Sequence, residues 1–225
     1  MSSNQNYQII RSNRKTIGLE ISPEKGLVVR VPLKTSLTTI QQVLKNKRQW
    51  IEGKLAMVAL KQRAVISREY GENDEFLYLG KKYPLKIVSS TKFPLVFENE
   101  QFLLSANYRQ KAQSVFQAWY MIQAEDYLNQ RVGYYADRYG FKYNRLRISQ
   151  ALKRWGSCSA QKNLNFNWRL MLAPPEVIDY LVVHELAHLA EMNHSPRYWQ
   201  RVARIMPDYK RQRKWLKDNG HLLNV

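Results

Sequence analysis

Three of the four histidines in this 225-residue sequence lie within one 11-residue segment. His184 and His188 begin and end an H-E-x-x-H motif, and His194 follows six residues later. Residues four apart on a helix lie on one face, a turn apart, so both imidazoles of the motif would reach one metal ion. Glu185 is rotated away from that face, which lets it address a water molecule rather than the metal. Three neutral imidazoles with an open fourth position are typical of a catalytic zinc site.

The position of the third histidine depends on how the motif helix ends. Asn193 is expected to adopt a left-handed conformation that ends the helix and turns His194 back toward the other two. Two other interpretations stay open, namely incidental surface histidines and a metal site without activity. An H-E-x-x-H string is rare by chance and here lies in an apolar helical segment, so a working metallohydrolase is favoured. Three imidazoles bind Zn²⁺ well but also suit nickel, copper or iron.

Hydrolysis at such a site also needs a donor for the developing negative charge on the substrate. Tyr198, on the helix that follows His194, is the first candidate for that catalytic role. Packing of its ring in the protein interior explains the same residue equally well. Arg197 and Arg154 are the cationic candidates for substrate binding. Glu185 is the candidate general base, because it would take a proton from the attacking water.

The first half of the chain alternates short apolar stretches with turn residues, which predicts strands around one long helix. The predicted strands cover residues 7–10, 16–21, 27–31, 76–79, 83–88, 95–98 and 101–104. The predicted helix covers residues 37–63 and begins after Ser36. The last four strands are separated by short turns, so we expect antiparallel pairing among them. This region is interpreted as a β-rich N-terminal domain, residues 1–106.

The second half is expected to form a second domain, residues 107–225, in which helices carry the motif. The predicted elements are a helix at 107–139, strands at 144–149 and 164–170, and helices that begin at Pro174-Pro175, at Ser195-Pro196 and at 209. The strand around residues 165–169 could present a free edge to an extended peptide or lie inside its sheet. The fold class is therefore predicted to be α+β.

The chain is strongly basic. It has 36 Lys and Arg residues against 18 Asp and Glu, a formal net charge of +18. Residues 195–217 contain eight cations against one acid, and residues 30–63 contain the same ratio. Such an excess predicts attraction to polyanions, whether nucleic acid, nucleotides or an anionic surface. A basic face kept for solubility is the alternative.

The expected cellular location follows from the absence of membrane-spanning and leader segments in the sequence. No run approaches the roughly 18 apolar residues needed to span a bilayer, and the N-terminus has no apolar leader segment. The one cysteine, Cys158, excludes an intrachain disulfide and is expected to be a structural thiol. The sequence predicts a cytoplasmic protein without membrane insertion.

The segment from Arg154-Trp155-Gly156-Ser157-Cys158 through the H-E-x-x-H motif to His194-Ser195-Pro196 resembles the YgjP-like family, which is related to the SprT type of zinc metallopeptidase. The resemblance implies a compact zincin-like domain, with the motif helix packed on a small sheet. It implies His184, His188 and His194 as ligands of Zn²⁺ and Glu185 as the catalytic acid and base.

Three functions are compatible with these patterns. The first is a zinc-dependent peptidase acting on peptide or protein substrates. The second is a metal-dependent phosphoanhydride hydrolase that acts on nucleotides, because the same activated water can attack phosphorus. The third is a nucleic-acid-binding protein with a vestigial metal site. The peptidase is favoured over the second function because the family resemblance implies it. No helix-turn-helix or RNA-recognition signature supports the third.

Overall fold

The computed structural model describes residues 7–22, 25–66, 70–151 and 154–223. The first six residues, on which part of the N-terminal expectation falls, lie outside them. The chain forms two compact units, Met1–Glu69 and Tyr70–Val225. Small sheets and helices occur in both units, so the α+β class is confirmed. Within the described ranges, no helix is long and apolar enough to cross a membrane.

The first unit holds one three-stranded sheet and two helices. Its strands are β1 (Tyr7–Ser12), β2 (Gly18–Ser22) and β3 (Gly26–Pro32), in the order β1-β3-β2 with β1 parallel to β3. The predicted single helix is divided into α1 (Leu37–Asn46) and α2 (Arg48–Ile66). The Ser36 hydroxyl accepts a hydrogen bond from the Thr39 amide and caps α1, as the sequence predicts. Val29, Ile40 and Ile51 lie in the core of this unit.

A four-stranded sheet begins the second unit. Its strands are β4 (Glu75–Tyr78), β5 (Lys81–Val88), β6 (Leu95–Glu98) and β7 (Gln101–Ser105), in the order β4-β5-β7-β6. Two hairpins match the antiparallel expectation, and their turns contain residues of positive φ, including Gly80 and Asn99. The central pair β5 and β7 is parallel, which the short connections did not predict. Strand β6 lies at the far edge, beyond β7. The two antiparallel hairpins β4-β5 and β6-β7 therefore join through the parallel pair of β5 and β7.

The two compact units meet between Glu69 and Tyr70, whereas the sequence predicts a domain boundary near residue 106. A 3-10 helix at Ala106–Lys111 leads into α3 (Ala112–Tyr139), and one hydrophobic core joins this helix to the preceding sheet. Phe116 stacks on Phe76 at a centroid distance of 4.1 Å. Because the apolar face of the sheet is buried by α3, the four strands belong with the second half of the chain.

The second unit also contains a small three-stranded sheet and the helices of the motif. The strands β8 (Arg145–Ser149), β9 (Gly156–Cys158) and β10 (Asn163–Asn167) have the order β8-β10-β9. The helices are α4 (Pro175–Ala187), α5 (Pro196–Ile205) and α6 (Tyr209–Asn219). β10 pairs on both sides, so residues 165–167 belong to an internal strand rather than a free edge. The predicted strand 164–170 is too long at its end, because Trp168–Leu172 form a 3-10 helix. Among the described strands, β9 is an edge and leaves one side unpaired.

Candidate metal centre

Helix α4 carries the H-E-x-x-H motif and is buried on nearly all sides. It packs against α3, α5, α6 and β9. Pro175 occupies its first turn, where a missing amide hydrogen costs nothing, and the acidic Glu176 follows. Asp179 is held by Arg131 of α3 in a two-pronged ion pair, with both N···O distances at 2.6 Å. This ion pair fixes the motif helix against α3.

The motif helix ends earlier than the sequence predicts. α4 ends at Ala187, and His188 occupies the C-cap position with helical dihedral angles. Asn193 is absent from the residues of positive φ, so the predicted left-handed turn at Asn193 is wrong. The chain instead turns back through the segment between α4 and α5. The Ser195 side chain accepts a hydrogen bond from the Tyr198 amide and begins α5 immediately after His194.

The three histidines converge. One ring nitrogen from each of His184, His188 and His194 lies within 4.8 Å of the others. The Nε2 atoms of His184 and His194 are 3.2 Å apart. Two tetrahedral ligands at a zinc–nitrogen distance of about 2.05 Å would be about 3.3 Å apart. The His188 Nδ1 atom lies 3.0 Å from the Glu191 carbonyl oxygen, a contact that leaves Nε2 for a metal. The donor set therefore fits a divalent ion such as Zn²⁺.

The electrostatic surroundings favour the neutral form of His184 and His194. Burial, followed by the nearby His188 and His194, lowers the pKa of His184 to about 3. Burial and His188 also lower the pKa of His194. The Nδ1 atom of His184 is buried without a hydrogen-bond partner among the described residues. Only a neutral imidazole can donate a lone pair to a metal, so this environment favours ligation.

Glu185 lies beside the triad, with its side chain against strand β9. It is only 4% exposed, and burial raises the pKa of its carboxyl to about 8. A Cβ atom at Gly156 would lie 2.5 Å from the Glu185 Oε1 atom. Non-bonded atoms do not approach that closely, so a side chain at position 156 would displace the Glu185 carboxyl.

The Tyr198 hydroxyl already has a hydrogen-bond partner on the motif helix. The side chain is fully buried, and its hydroxyl donates a hydrogen bond to the His184 carbonyl oxygen at 3.0 Å. Its ring lies 4.6 Å from the His188 ring and 4.7 Å from the His194 ring. The hydroxyl is already engaged with the motif helix, so the packing interpretation of Tyr198 is favoured over the predicted catalytic one.

An aromatic stack supports the third histidine. Trp199 stacks on His194 with ring centroids 5.4 Å apart and planes 18° from parallel. Tyr209 of α6 stacks on Trp199 at 5.3 Å, and the Arg213 guanidinium lies 4.5 Å from the same indole. His194 is exposed, so its ring depends on this stack for orientation. No sequence signal placed Arg213 here, because the contact joins two helices.

The two predicted substrate-binding arginines lie at different places. Arg154 is exposed and lines a cleft of about 290 Å³ with Gly156, Ser157 and Asn165. Arg197 lines another cleft, with Arg201 and other residues of α5. Within the described parts of the chain, no hydrogen bond joins either guanidinium to the three histidines. The structure therefore brings together the four predicted ligand and base residues, but not the arginines.

Comparison with known proteins places this geometry in context. A family model described as YgjP-like, metallopeptidase domain, matches residues 15–219. A search of curated proteins finds no match. Among solved structures, the crystal structure of the metallopeptidase zymogen of Pyrococcus abyssi abylysin is 21% identical, with a TM-score of 0.37. That similarity covers 40% of this chain and 93% of the other, and a TM-score this low carries no structural argument.

Proposed function

The chain belongs to the YgjP-like family of metallopeptidase domains, and from that membership we propose that it is a zinc-dependent peptidase. In this proposal His184, His188 and His194 hold Zn²⁺ and Glu185 is the general base. The observation that carries it is the convergence of three histidine ring nitrogens beside the buried carboxyl of Glu185. Structural zinc sites use four protein ligands, whereas three ligands leave a position for the reaction.

The chemistry divides between the metal and the protein. Bound zinc would supply Lewis-acid activation of water and of the peptide carbonyl. The Glu185 carboxylate takes a proton from the attacking water while the new C–O bond forms. It then returns that proton to the leaving nitrogen as the C–N bond breaks. A desolvated carboxyl is a stronger base than an exposed one, so burial against β9 suits Glu185 to this exchange.

The edge of strand β9 is the proposed place for the substrate backbone. Gly156 of this strand contacts the Glu185 side chain, so a peptide along the open edge would pass close to the base. An extended peptide gains main-chain hydrogen bonds when it adds to a free sheet edge. The exposed Arg154 precedes this strand and lines the adjacent cleft, where it could bind substrate.

The test of this function is hydrolysis of casein by zinc-loaded protein, compared with Glu185→Gln. We expect the variant to keep its metal and lose at least about 100-fold in rate, the scale of a lost general base. Glu176→Gln is the matched control, because Glu176 is an exposed residue of the same helix. Cleavage that survives in Glu185→Gln would contradict the assignment.

The two alternative functions give different results in parallel assays. A phosphoanhydride hydrolase would release phosphate or pyrophosphate from nucleoside triphosphates without cleaving casein. A nucleic-acid-binding protein with a vestigial metal site would cleave neither substrate. The family is that of a metallopeptidase domain, which is why the peptidase is the proposal.

A further inference from the structure

A second concave site lies next to the metal centre, and arginine dominates it. This arginine cleft has a volume of about 350 Å³ and lies between α5 and the end of α3. It is lined by Tyr139, Phe141, Glu191, Arg197, Gln200, Arg201, Arg204 and Ile205. The peptidase proposal assigns no role to it, because its lining residues include none of the three histidines and not Glu185.

The three arginines share one face of α5. Arg197, Arg201 and Arg204 are four and then three residues apart, the spacing that aligns side chains along a helix. All three are exposed, whereas Tyr198 and Val202 of the same helix are buried. The row spans about 10 Å along the helix, which is longer than one phosphate group. This arrangement suits an anion with several charged groups in line.

Glu191 is the one acid that faces these three guanidinium groups in the lining of the cleft. Within the described part of the chain, none of the three forms an ion pair. Three cations against one acid in a concave surface repel one another and attract an anionic ligand. Guanidinium groups match phosphate oxygens well, because each presents paired N–H donors.

Aromatic rings lie beside the arginines. Tyr139 lines the cleft and is 40% exposed, and Tyr134, five residues earlier on α3, is 47% exposed. Arg138 lies 6.0 Å from each of these two rings. Alternating cations and exposed rings are the pattern with which proteins bind unpaired bases, since each base can stack on a ring. Bases in a duplex are already stacked and would not use them.

We propose that the arginine cleft binds the phosphate backbone of a single-stranded nucleic acid, with Tyr139 as a stacking partner for a base. This activity is separate from peptide hydrolysis and does not depend on the metal. Glu191 lines the cleft, and its carbonyl oxygen contacts the His188 ring. A strand held there would therefore lie close to the metal centre.

The test measures binding of a fluorescent oligothymidylate of about 12 nucleotides to the full-length, metal-loaded protein. We expect Arg197→Ala/Arg201→Ala/Arg204→Ala to weaken binding at least about tenfold near 0.1 M salt. The slope of log K against log salt should decrease in magnitude by about 2, since each lost single-strand phosphate contact removes about 0.7. Tyr139→Ala should also weaken binding, and Tyr139→Phe should not.

The matched control is Lys45→Ala/Lys47→Ala/Lys54→Ala, which removes the same charge from exposed positions of the first unit. Equal weakening by both triple variants would overturn the proposal, because binding would then follow net charge alone. A duplex of the same sequence, a non-hydrolysable nucleoside triphosphate and polyglutamate serve as competitors. The proposal predicts that each competes poorly. A competitor as effective as the unlabelled single strand would overturn the proposal and would indicate that its own class is the ligand. No binding of the oligonucleotide would also overturn it.

Discussion

The backbone of Gly156 and the side chain of Glu185 occupy adjoining space, so that a methyl group on the first would collide with the second. The Cβ position at Gly156 is 2.5 Å from Oε1 and 2.9 Å from the carboxyl carbon of Glu185. The atoms in the way belong to a side chain rather than to backbone, so the carboxyl can move while the fold persists. The absence of a side chain at Gly156 therefore determines where the Glu185 carboxyl lies.

We predict that Gly156→Ala folds and binds metal but loses about 100-fold in peptide hydrolysis, because a displacement of about 1 Å is enough for that loss. Steady-state kinetics and metal content measured on one preparation check this. Gly133→Ala is the control, since a Cβ there meets nothing within 4 Å. Full activity of Gly156→Ala would show that the contact does not position the base.

The variant Tyr198→Phe distinguishes a structural role of Tyr198 from a catalytic one. Loss of the hydrogen bond to the His184 carbonyl should lower the free energy of unfolding by about 1 kcal/mol and reduce kcat less than tenfold. A donor to the developing oxyanion would instead cost about 100- to 1,000-fold in kcat. Denaturant unfolding and kinetics distinguish these results, and a loss in the second range would restore the catalytic interpretation.

Trp199 is expected to control metal affinity through His194. Trp199→Ala should weaken zinc binding about 10- to 100-fold, the usual effect of removing a group that orients a ligand. Trp199→Phe, which keeps a flat ring beneath the imidazole, should retain most of the affinity. Competition with a chromophoric chelator measures both variants. Identical zinc affinities for wild type and Trp199→Ala would show that the stack does not orient His194 for metal binding.

Cys158 should react slowly with thiol reagents. Burial, with a contribution from Glu185, raises the pKa of its thiol to about 11. The thiolate is the reactive form, so at pH 8 only about one thiol in a thousand is ready to react. Alkylation by iodoacetamide should accelerate about tenfold for each pH unit up to about 11, and urea-unfolded protein should react quickly at pH 8. A plateau near pH 8.5 in the folded protein would contradict this. The single cysteine makes the measurement unambiguous.

Local patterns account for what the sequence predicted correctly. The H-E-x-x-H spacing identified His184 and His188 because residues four apart share a helix face. The caps at Ser36 and Ser195 also followed from local chemistry, because each side chain bonds to an amide three residues later. Such features depend on near neighbours in the chain, which the sequence displays directly.

Long-range packing accounts for the differences. The parallel pairing of β5 with β7 depends on how two hairpins meet, and turn residues say nothing about that. Phe76 packs on Phe116, 40 residues later in the chain, so the strands that the sequence groups with the N-terminal half share a core with α3. The roles of Tyr198 and Gly156 depend on contacts with the motif helix from other elements. Motif spacing pointed to the candidate ligands, and tertiary contacts determine which residues pack against their side chains.

Metal content tests the central claim most directly. Untagged protein would be purified without chelator and analysed by plasma mass spectrometry beside His188→Ala. The convergence of three ring nitrogens predicts about one zinc per chain in the wild type and almost none in the variant. A wild-type protein that holds no metal even after zinc is offered, or a variant that binds as much, would contradict the account.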